Sequence, residues 1–134
     1  MSNFIQVTPF RIVEDIHPAE NFFTDILSFE TRVRYPDYAY VHRETAGFGI
    51  WEQTGKDAAP AGTRRFAYSI DVRDVDQLYA ELKPKLDTLP RGDVHGPADK
   101  PYGQAELLVL APDGDLLAFG QAIGGNSPGD HSHD

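Results

Sequence analysis

The alternation of apolar and polar side chains predicts a strand from Phe4 to Val13. Side chains of a strand point alternately to its two faces, so Thr8, Phe10 and Ile12 are expected to share one face. Pro18 then favours the start of a helix, because the first N–H groups of a helix lack partners and proline has no N–H. The apolar residues that follow have the spacing of one helical stripe, at Ala19, Phe22, Phe23, Ile26 and Leu27.

Three further strands complete the first half of the chain. Period-2 patterns predict them at residues 29–34, 38–43 and 48–53, separated by turn-forming residues. Residues 54–63 are predicted to be a linker, because they consist mainly of Gly, Ala, Pro, Thr, Lys and Asp.

A second strand and helix follow, with the strand predicted at residues 65–72. Asp74 is a plausible N-cap, with Gln77 three residues later. Pro84 is expected to end or kink this helix near Lys83, because proline lacks the N–H that the helix requires. The remaining chain is predicted to form strands at 89–95, 105–110 and 115–121, a loop at 96–103 and a flexible tail at 123–134.

A constant difference in residue number relates the first strand and helix of the chain to the second strand and helix described above. It takes Asp15 to Asp74 and Phe23 to Leu82, and it keeps the apolar stripes of the two helices in phase. Each half is therefore predicted to contain a strand, a helix and three more strands. This pattern indicates an α+β fold, a single domain of two modules at about residues 4–53 and 64–122. We expect one face of each sheet to pack on its helix and the other, curved face to line a cleft.

Composition narrows the possible functions. The chain has 134 residues, a formal charge of −9 and no cysteine, which excludes a disulfide scaffold or a thiolate nucleophile and is typical of a cytoplasmic protein. No stretch approaches the roughly 20 apolar residues of a membrane span, and no secretory signal is evident. Residues 68–134 carry 5 Lys and Arg but 12 Asp and Glu. This acidity argues against nucleic acid and is compatible with a cationic ligand.

Three segments of the chain, residues 13–23, 70–76 and 111–119, resemble the glyoxalase, bleomycin-resistance and extradiol-dioxygenase proteins, the vicinal oxygen chelate superfamily. The Pro112-Asp113-Gly114 hairpin before the last strand is the most telling motif. Pro101-Tyr102-Gly103-Gln104 is most similar to the bleomycin-resistance branch. The resemblance implies paired β-α-β-β-β modules, a curved mixed sheet around a cleft, a homodimer and, in the enzymes, a divalent metal held by His and Glu.

The positions at which the resemblance implies metal ligands carry other residues here. They fall on Thr8, Ile50, Ala67 and Ala118, none of which is a usual ligand for a divalent metal. We therefore expect no metal and no other cofactor. The resemblance then favours a metal-free protein of the bleomycin-resistance type, which sequesters an aromatic or cationic small molecule in a dimer cleft.

Strand parity gives a set of candidate ligand-binding residues. With the four ligand positions facing the cleft, parity gives Phe10, Phe48, Ile50, Glu52, Arg65, Ser69, Glu106 and Leu108 as candidates. Trp51 is added because of its aromatic ring, and Tyr102 because its Pro/Gly loop is expected at the mouth of the cleft. By parity alone, the side chains of Trp51 and Phe119 point toward the helices. The side chain of Phe48 points toward the cleft. A register error of one residue would reverse Phe48 and Trp51.

Two other interpretations stay open. One is a lyase, isomerase or dioxygenase of the same superfamily, with a rearranged metal site or none, that uses Glu52, Glu106 or Tyr102 for acid–base chemistry. The other is an interaction module whose aromatic strands serve only assembly. His17, His42 and His95 lie on separate segments without metal-ligand spacing.

Overall fold

A computed structural model of the chain describes residue 3, residues 5–53 and residues 66–123. The chain divides into two compact units, Met1–Ala61 and Gly62–Asp134. The predicted linker, Arg65 and residues 124–134 of the predicted tail lie outside the described residues.

The first unit contains one helix and a four-stranded sheet. Its elements are β1 (Phe10–Val13), α1 (Ile16–Asn21), a π-helical turn (Phe22–Ile26), β2 (Glu30–Tyr35), β3 (Tyr38–Arg43) and β4 (Ala46–Glu52). The strands lie in the order β1-β4-β3-β2, with β1 parallel to β4 and the other pairs antiparallel.

Aromatic residues of the π-helical turn form the core between the helix and the sheet. The ring of Phe23 is fully buried and lies 5.2 Å from the ring of Phe29 and 5.0 Å from that of Phe48, centroid to centroid. The guanidinium of Arg11, itself buried, lies 5.3 Å from the centroid of the Phe23 ring. Burial of these rings fixes which face of the sheet the helix covers.

The second unit repeats this architecture. Its elements are β5 (Ala67–Asp71), α2 (Val75–Leu86), a 3₁₀ turn (Arg91–Asp93), β6 (Val94–Lys100), β7 (Gln104–Leu110) and β8 (Leu116–Ala122). The strand order is β5-β8-β7-β6, with β5 parallel to β8 and the other pairs antiparallel. The predicted α+β fold of repeated β-α-β-β-β modules is confirmed.

The constant shift between the repeats is confirmed at the helices, since α1 begins at Ile16 and α2 at Val75, two positions that the shift relates. It does not extend to the fourth strands, which begin at Ala46 and Leu116, because the second unit has more chain between its helix and its last strand. The sequence repeat is therefore visible only through the strand and helix that open each unit.

The expected N-cap of α2 is confirmed, because the Asp74 carboxylate accepts a hydrogen bond of 3.0 Å from the backbone N–H of Gln77. Of the two expectations for Pro84, an end or a kink of α2, the end is wrong, since the helix continues to Leu86. Pro84 removes one hydrogen bond of the ladder, its own to the carbonyl four residues earlier, and the buried side chains of Leu82 and Leu86 hold the last turn in place.

The loop predicted at residues 96–103 is instead largely strand β6. Residues Gly96 and Pro97 lie where the register between β6 and β7 shifts, a β-bulge that accommodates a residue without an N–H. Strand β1 is shorter than predicted and begins at Phe10. None of the helices in the described part of the chain is long and apolar enough to cross a bilayer.

Candidate functional site

Strand β4 has one covered and one open face, and the sequence-based assignment of its two faces is wrong. Phe48 and Ile50 are 3 % and 0 % exposed and face the helix, with Phe48 packed on Phe23. Trp51 is 42 % exposed and lies on the opposite, open face. Both faces of this strand carry large apolar residues, so alternation alone could not distinguish them.

Glu52 also faces the helix, and its carboxylate has a structural partner. Its Oε2 accepts a hydrogen bond of 2.9 Å from the backbone N–H of Ile16, the first residue of α1. In the second unit the side-chain oxygen of Gln121 accepts an equivalent bond of 2.9 Å from Val75 N–H, at the start of α2. A side chain near the end of the fourth strand thus caps the helix in each unit, because the first N–H groups of a helix lack internal partners.

The open face of the first sheet is rich in aromatic side chains, and we call it the aromatic face. The strand register places on it Phe10, Ile12, Glu30, Val33, Tyr35, Tyr38, Tyr40, His42, Gly47, Gly49 and Trp51. The rings of Phe10 and Tyr38 lie 5.7 Å apart at 30°, and those of Tyr40 and His42 lie 6.4 Å apart and nearly parallel. Phe10 and Trp51, both predicted as candidates, are therefore on the same face.

The residues paired in register on the aromatic face carry little charge. Glu30 is the only residue paired in register there that has a formal charge, and its carboxylate lies 3.9 Å from Nε2 of His42. Rings of Trp, Tyr and Phe have electron-rich faces that attract cations. The face therefore suits a flat, electron-poor or cationic ring.

The open face of the second sheet carries small, polar and leucine side chains, with no Phe, Tyr or Trp among the residues paired in register. The register places Ser69 beside Ala118, and Leu108 on the other side of Ala118, as parity predicts. Ala67 also lies on this face, while Phe119 is buried under α2 as predicted. The two sheets therefore present chemically different surfaces.

Glu106 and Tyr102 form a hydrogen-bonded pair on the second unit. The Tyr102 hydroxyl, at the turn before β7, donates a bond of 2.6 Å to Oε1 of Glu106. This bond, with a smaller effect of desolvation, raises the pKa of Tyr102. The phenol is protonated at neutral pH, as any ordinary tyrosine is, and its hydroxyl donates the hydrogen bond that holds the carboxylate in one position.

Two glycines of the aromatic face were not among the predicted candidates. Gly47 and Gly49 lie two residues apart on β4 and are overlaid by the rings of Tyr40 and Phe10. The signal in the sequence is glycine at alternate positions of a strand, which indicates a close approach of other groups to the backbone.

Solved structures with the same fold are numerous and include bleomycin-binding proteins. A bleomycin-binding protein from bleomycin-producing Streptomyces verticillus, complexed with copper(II)-bleomycin, matches 91 % of this chain and 98 % of its own at 25 % identity and a TM-score of 0.70. A bleomycin resistance determinant encoded on the transposon Tn5 matches 89 % of this chain and 98 % of its own at 19 % identity and a TM-score of 0.70. A glyoxalase/bleomycin resistance protein/dioxygenase from Nocardioides matches 96 % and 90 % of the two chains at 15 % identity and a TM-score of 0.70.

A comparison with models of protein families gives no match, and neither does a comparison with curated proteins. The likeness is therefore carried by the fold and by the motifs of the sequence. In fold, the chain is similar to bleomycin-resistance proteins and to other proteins of the glyoxalase/bleomycin resistance/dioxygenase type.

The metal-ligand positions implied by the vicinal oxygen chelate superfamily do not fit a divalent ion in this chain. Thr8, Ala67 and Ala118 offer no carboxylate or imidazole, and Ile50 faces the core. On the open face beside Ile50 stand Gly49 and Trp51, which are not metal ligands either. Across residues 5–53 and 66–123, three or more His, Asp or Glu side chains nowhere cluster as a metal site would require.

Proposed function

We propose that this protein binds a planar, aromatic and cationic small molecule without a metal, on the aromatic face of its first unit. The proposal narrows the small-molecule binding found in the bleomycin-binding proteins of the same fold. The observation that carries it is the continuous aromatic surface around Trp51, which holds side chains that soluble proteins usually bury.

Exposure supports this choice of surface. Five residues of the aromatic face rank among the exposed large apolar side chains: Phe10 at 52 %, Ile12 at 37 %, Val33 at 38 %, Tyr35 at 61 % and Trp51 at 42 %. Contiguous exposed apolar side chains are typical of binding sites. Each aromatic contact contributes about 0.5–1.5 kcal/mol beyond the area that it buries, so several contacts retain a ring system of drug size.

Charge supports a cationic ligand. The chain has a formal charge of −9, and no Lys or Arg is paired in register on the aromatic face. A cation over Tyr or Trp gains about 0.5–2 kcal/mol, with the larger values where water is excluded. An anionic ligand of the same shape is disfavoured both by the negative charge of the chain and by the electron-rich faces of the rings.

We further propose that the protein acts as a homodimer. Ile5 and Val7, which precede β1, are 92 % and 90 % exposed. Their burial against a second copy of the chain would remove this apolar surface from water. Light scattering coupled to size-exclusion chromatography is expected to give twice the 14.9 kDa of the chain, and the mass of a single chain at micromolar concentration contradicts the proposal.

Isothermal titration calorimetry tests the binding function. Copper(II)-bleomycin, metal-free bleomycin and the planar cation proflavine are titrated into the folded protein, with the anion 1-pyrenesulfonate as the matched ring of opposite charge. Binding of at least one cationic compound in simple molar ratio, tighter than that of the anion, is the expected result. If every cationic aromatic compound fails to bind while the protein is folded, the proposed function is wrong.

The Tyr102–Glu106 pair favours a second candidate function, a metal-free lyase or isomerase. A carboxylate held by a phenol is a plausible acid–base group. In this pair the phenol donates and the carboxylate accepts, so Tyr102 would act as the donor and Glu106 as the base. Turnover of a bound compound that is lost in Glu106→Gln, with binding retained, would favour this function over sequestration.

A further inference from the structure

The two glycines of the aromatic face lie directly beneath rings that belong to neighbouring strands. A Cβ atom on Gly49 would lie 3.0 Å from both Cδ1 and Cε1 of Phe10. A Cβ atom on Gly47 would lie 2.7 Å from Cζ of Tyr40 and would overlap its hydroxyl oxygen. A side chain at Gly47 therefore requires the Tyr40 ring to move, and a side chain at Gly49 requires the Phe10 ring to shift by a few tenths of an ångström.

The backbone itself does not require glycine at these positions. The glycines with a positive φ in the described chain are Gly96, Gly103 and Gly114, so Gly47 and Gly49 have backbones that any residue adopts. Glycine inside a strand is unfavourable, by roughly 0.5–1 kcal/mol relative to alanine. The overlying rings are thus the physical reason for two glycines within three residues of β4.

The space above Gly49 lets rings from different strands meet. Phe10 is on β1 and Tyr38 is on β3, and β4 lies between them. Strands two apart in a sheet are separated by about 9–10 Å. The 5.7 Å between the two ring centroids is reached only because the Phe10 ring lies across β4.

We propose that Gly47 and Gly49 determine the ligand specificity of the aromatic face, because they keep the rings of Tyr40 and Phe10 low over β4. A low, continuous layer of rings accepts a flat polycyclic cation lying parallel to the sheet. A side chain at either glycine raises a ring, and a rigid flat ligand then touches fewer rings at once. This inference rests on the proposed function and names the shape of the ligand that the site selects.

The experiment compares two aromatic cations of different shape, proflavine, which is flat, and crystal violet, which is propeller-shaped. Fluorescence of the single tryptophan, Trp51, reports binding from the aromatic face itself. Gly49→Ala and Gly47→Ala are expected to weaken proflavine binding about tenfold, the loss of roughly one aromatic contact. Crystal violet binding is expected to change less than threefold.

A matched control is present in the second unit. A Cβ atom on Gly92 meets nothing within 4 Å, so Gly92→Ala is expected to bind proflavine as the unaltered protein does. Equal weakening of both dyes, or unchanged proflavine affinity in folded Gly49→Ala and Gly47→Ala, overturns the inference and leaves the binding function standing. If the unaltered protein binds neither dye, the inference is overturned, and the titration with bleomycin decides separately whether the proposed function stands.

A double variant covers the case in which Gly49→Ala does not fold. In Phe10→Ala/Gly49→Ala no ring remains for the new methyl group to displace, so the variant is expected to fold and to bind proflavine within about twofold of Phe10→Ala alone. Failure of the double variant to fold, or an affinity far below that of Phe10→Ala, overturns the steric argument.

Discussion

The hydrogen bond between Tyr102 and Glu106 has a consequence for titration at alkaline pH. The bond favours the neutral phenol in the folded protein, so the pKa of Tyr102 lies above its ordinary value of about 10. The stabilisation is present at neutral pH and is lost as the pH rises through the pKa of the folded state.

Removal of the acceptor is expected to restore ordinary titration. In Glu106→Ala the pKa of Tyr102 is expected to fall toward that of an exposed tyrosine, because the hydrogen bond, which is the largest cause of the shift, is gone. Absorbance of tyrosinate at alkaline pH measures this, with Tyr102→Phe identifying the transition. An unchanged transition in Glu106→Ala would show that the carboxylate does not hold the phenol.

The face of the sheet on which a side chain lies could be predicted from the sequence for some residues but not for others. Ser69, Leu108 and Glu106 were placed on the open face, because strict alternation holds along β5 and β7, where Leu107 and Val109 are buried on the opposite face. Phe48 and Trp51 were reversed, because both are large and apolar and only packing on the helix separates them. Long-range contacts of this kind leave no signal in local alternation.

At the scale of the element, the two faces of β4 have different roles, one in the core and one in the proposed ligand binding. Phe48 is buried against Phe23 and Phe29, whereas Trp51 is half-exposed on the aromatic face. Phe48→Ala is expected to reduce the free energy of unfolding by about 3–5 kcal/mol, the usual cost of removing a buried phenyl ring. Trp51→Ala is expected to cost less than about 1 kcal/mol of stability but to weaken proflavine binding about tenfold.

Chemical denaturation and dye titration on the same two variants measure both quantities. Phe48→Leu, which keeps most of the buried volume, serves as the milder core control. A large loss of stability in Trp51→Ala, or unchanged proflavine binding there, would contradict the division of β4 into a core face and a binding face.

Both helices begin beneath a side chain from the last strand of their own unit. Glu52 caps α1 and Gln121 caps α2, each at 2.9 Å. Since an amide oxygen performs this task in the second unit, Glu52→Gln is expected to keep most of the stability. Glu52→Leu is expected to lose about 1–2 kcal/mol, because the N–H of Ile16 is left without its partner.

Urea denaturation of the two Glu52 variants distinguishes capping from charge. If Glu52→Gln is as unstable as Glu52→Leu, the negative charge matters and the hydrogen bond alone does not explain the role of this residue. The sequence did not reveal the cap, because Glu52 lies far along the chain from the helix that it contacts.

At the scale of the whole molecule, the repeat made the fold predictable. The strand–helix opening that the two halves share, with Asp15 corresponding to Asp74, predicts two modules of the same topology, and both have the strand order first, fourth, third and second. The chemical difference between the modules was not predictable, since the repeat constrains the buried faces and leaves the open faces free to diverge. The first became aromatic, whereas the second carries small, polar and leucine side chains.

The central claim is that the aromatic face of the first unit holds a planar aromatic cation. A crystal structure of the protein grown with proflavine tests it most directly. The account predicts the dye stacked within about 4 Å of Phe10 or Trp51 and parallel to the sheet at Gly49. Dye bound elsewhere, with these rings still exposed to solvent, or dye coordinated to a metal ion held by the protein, would contradict the account.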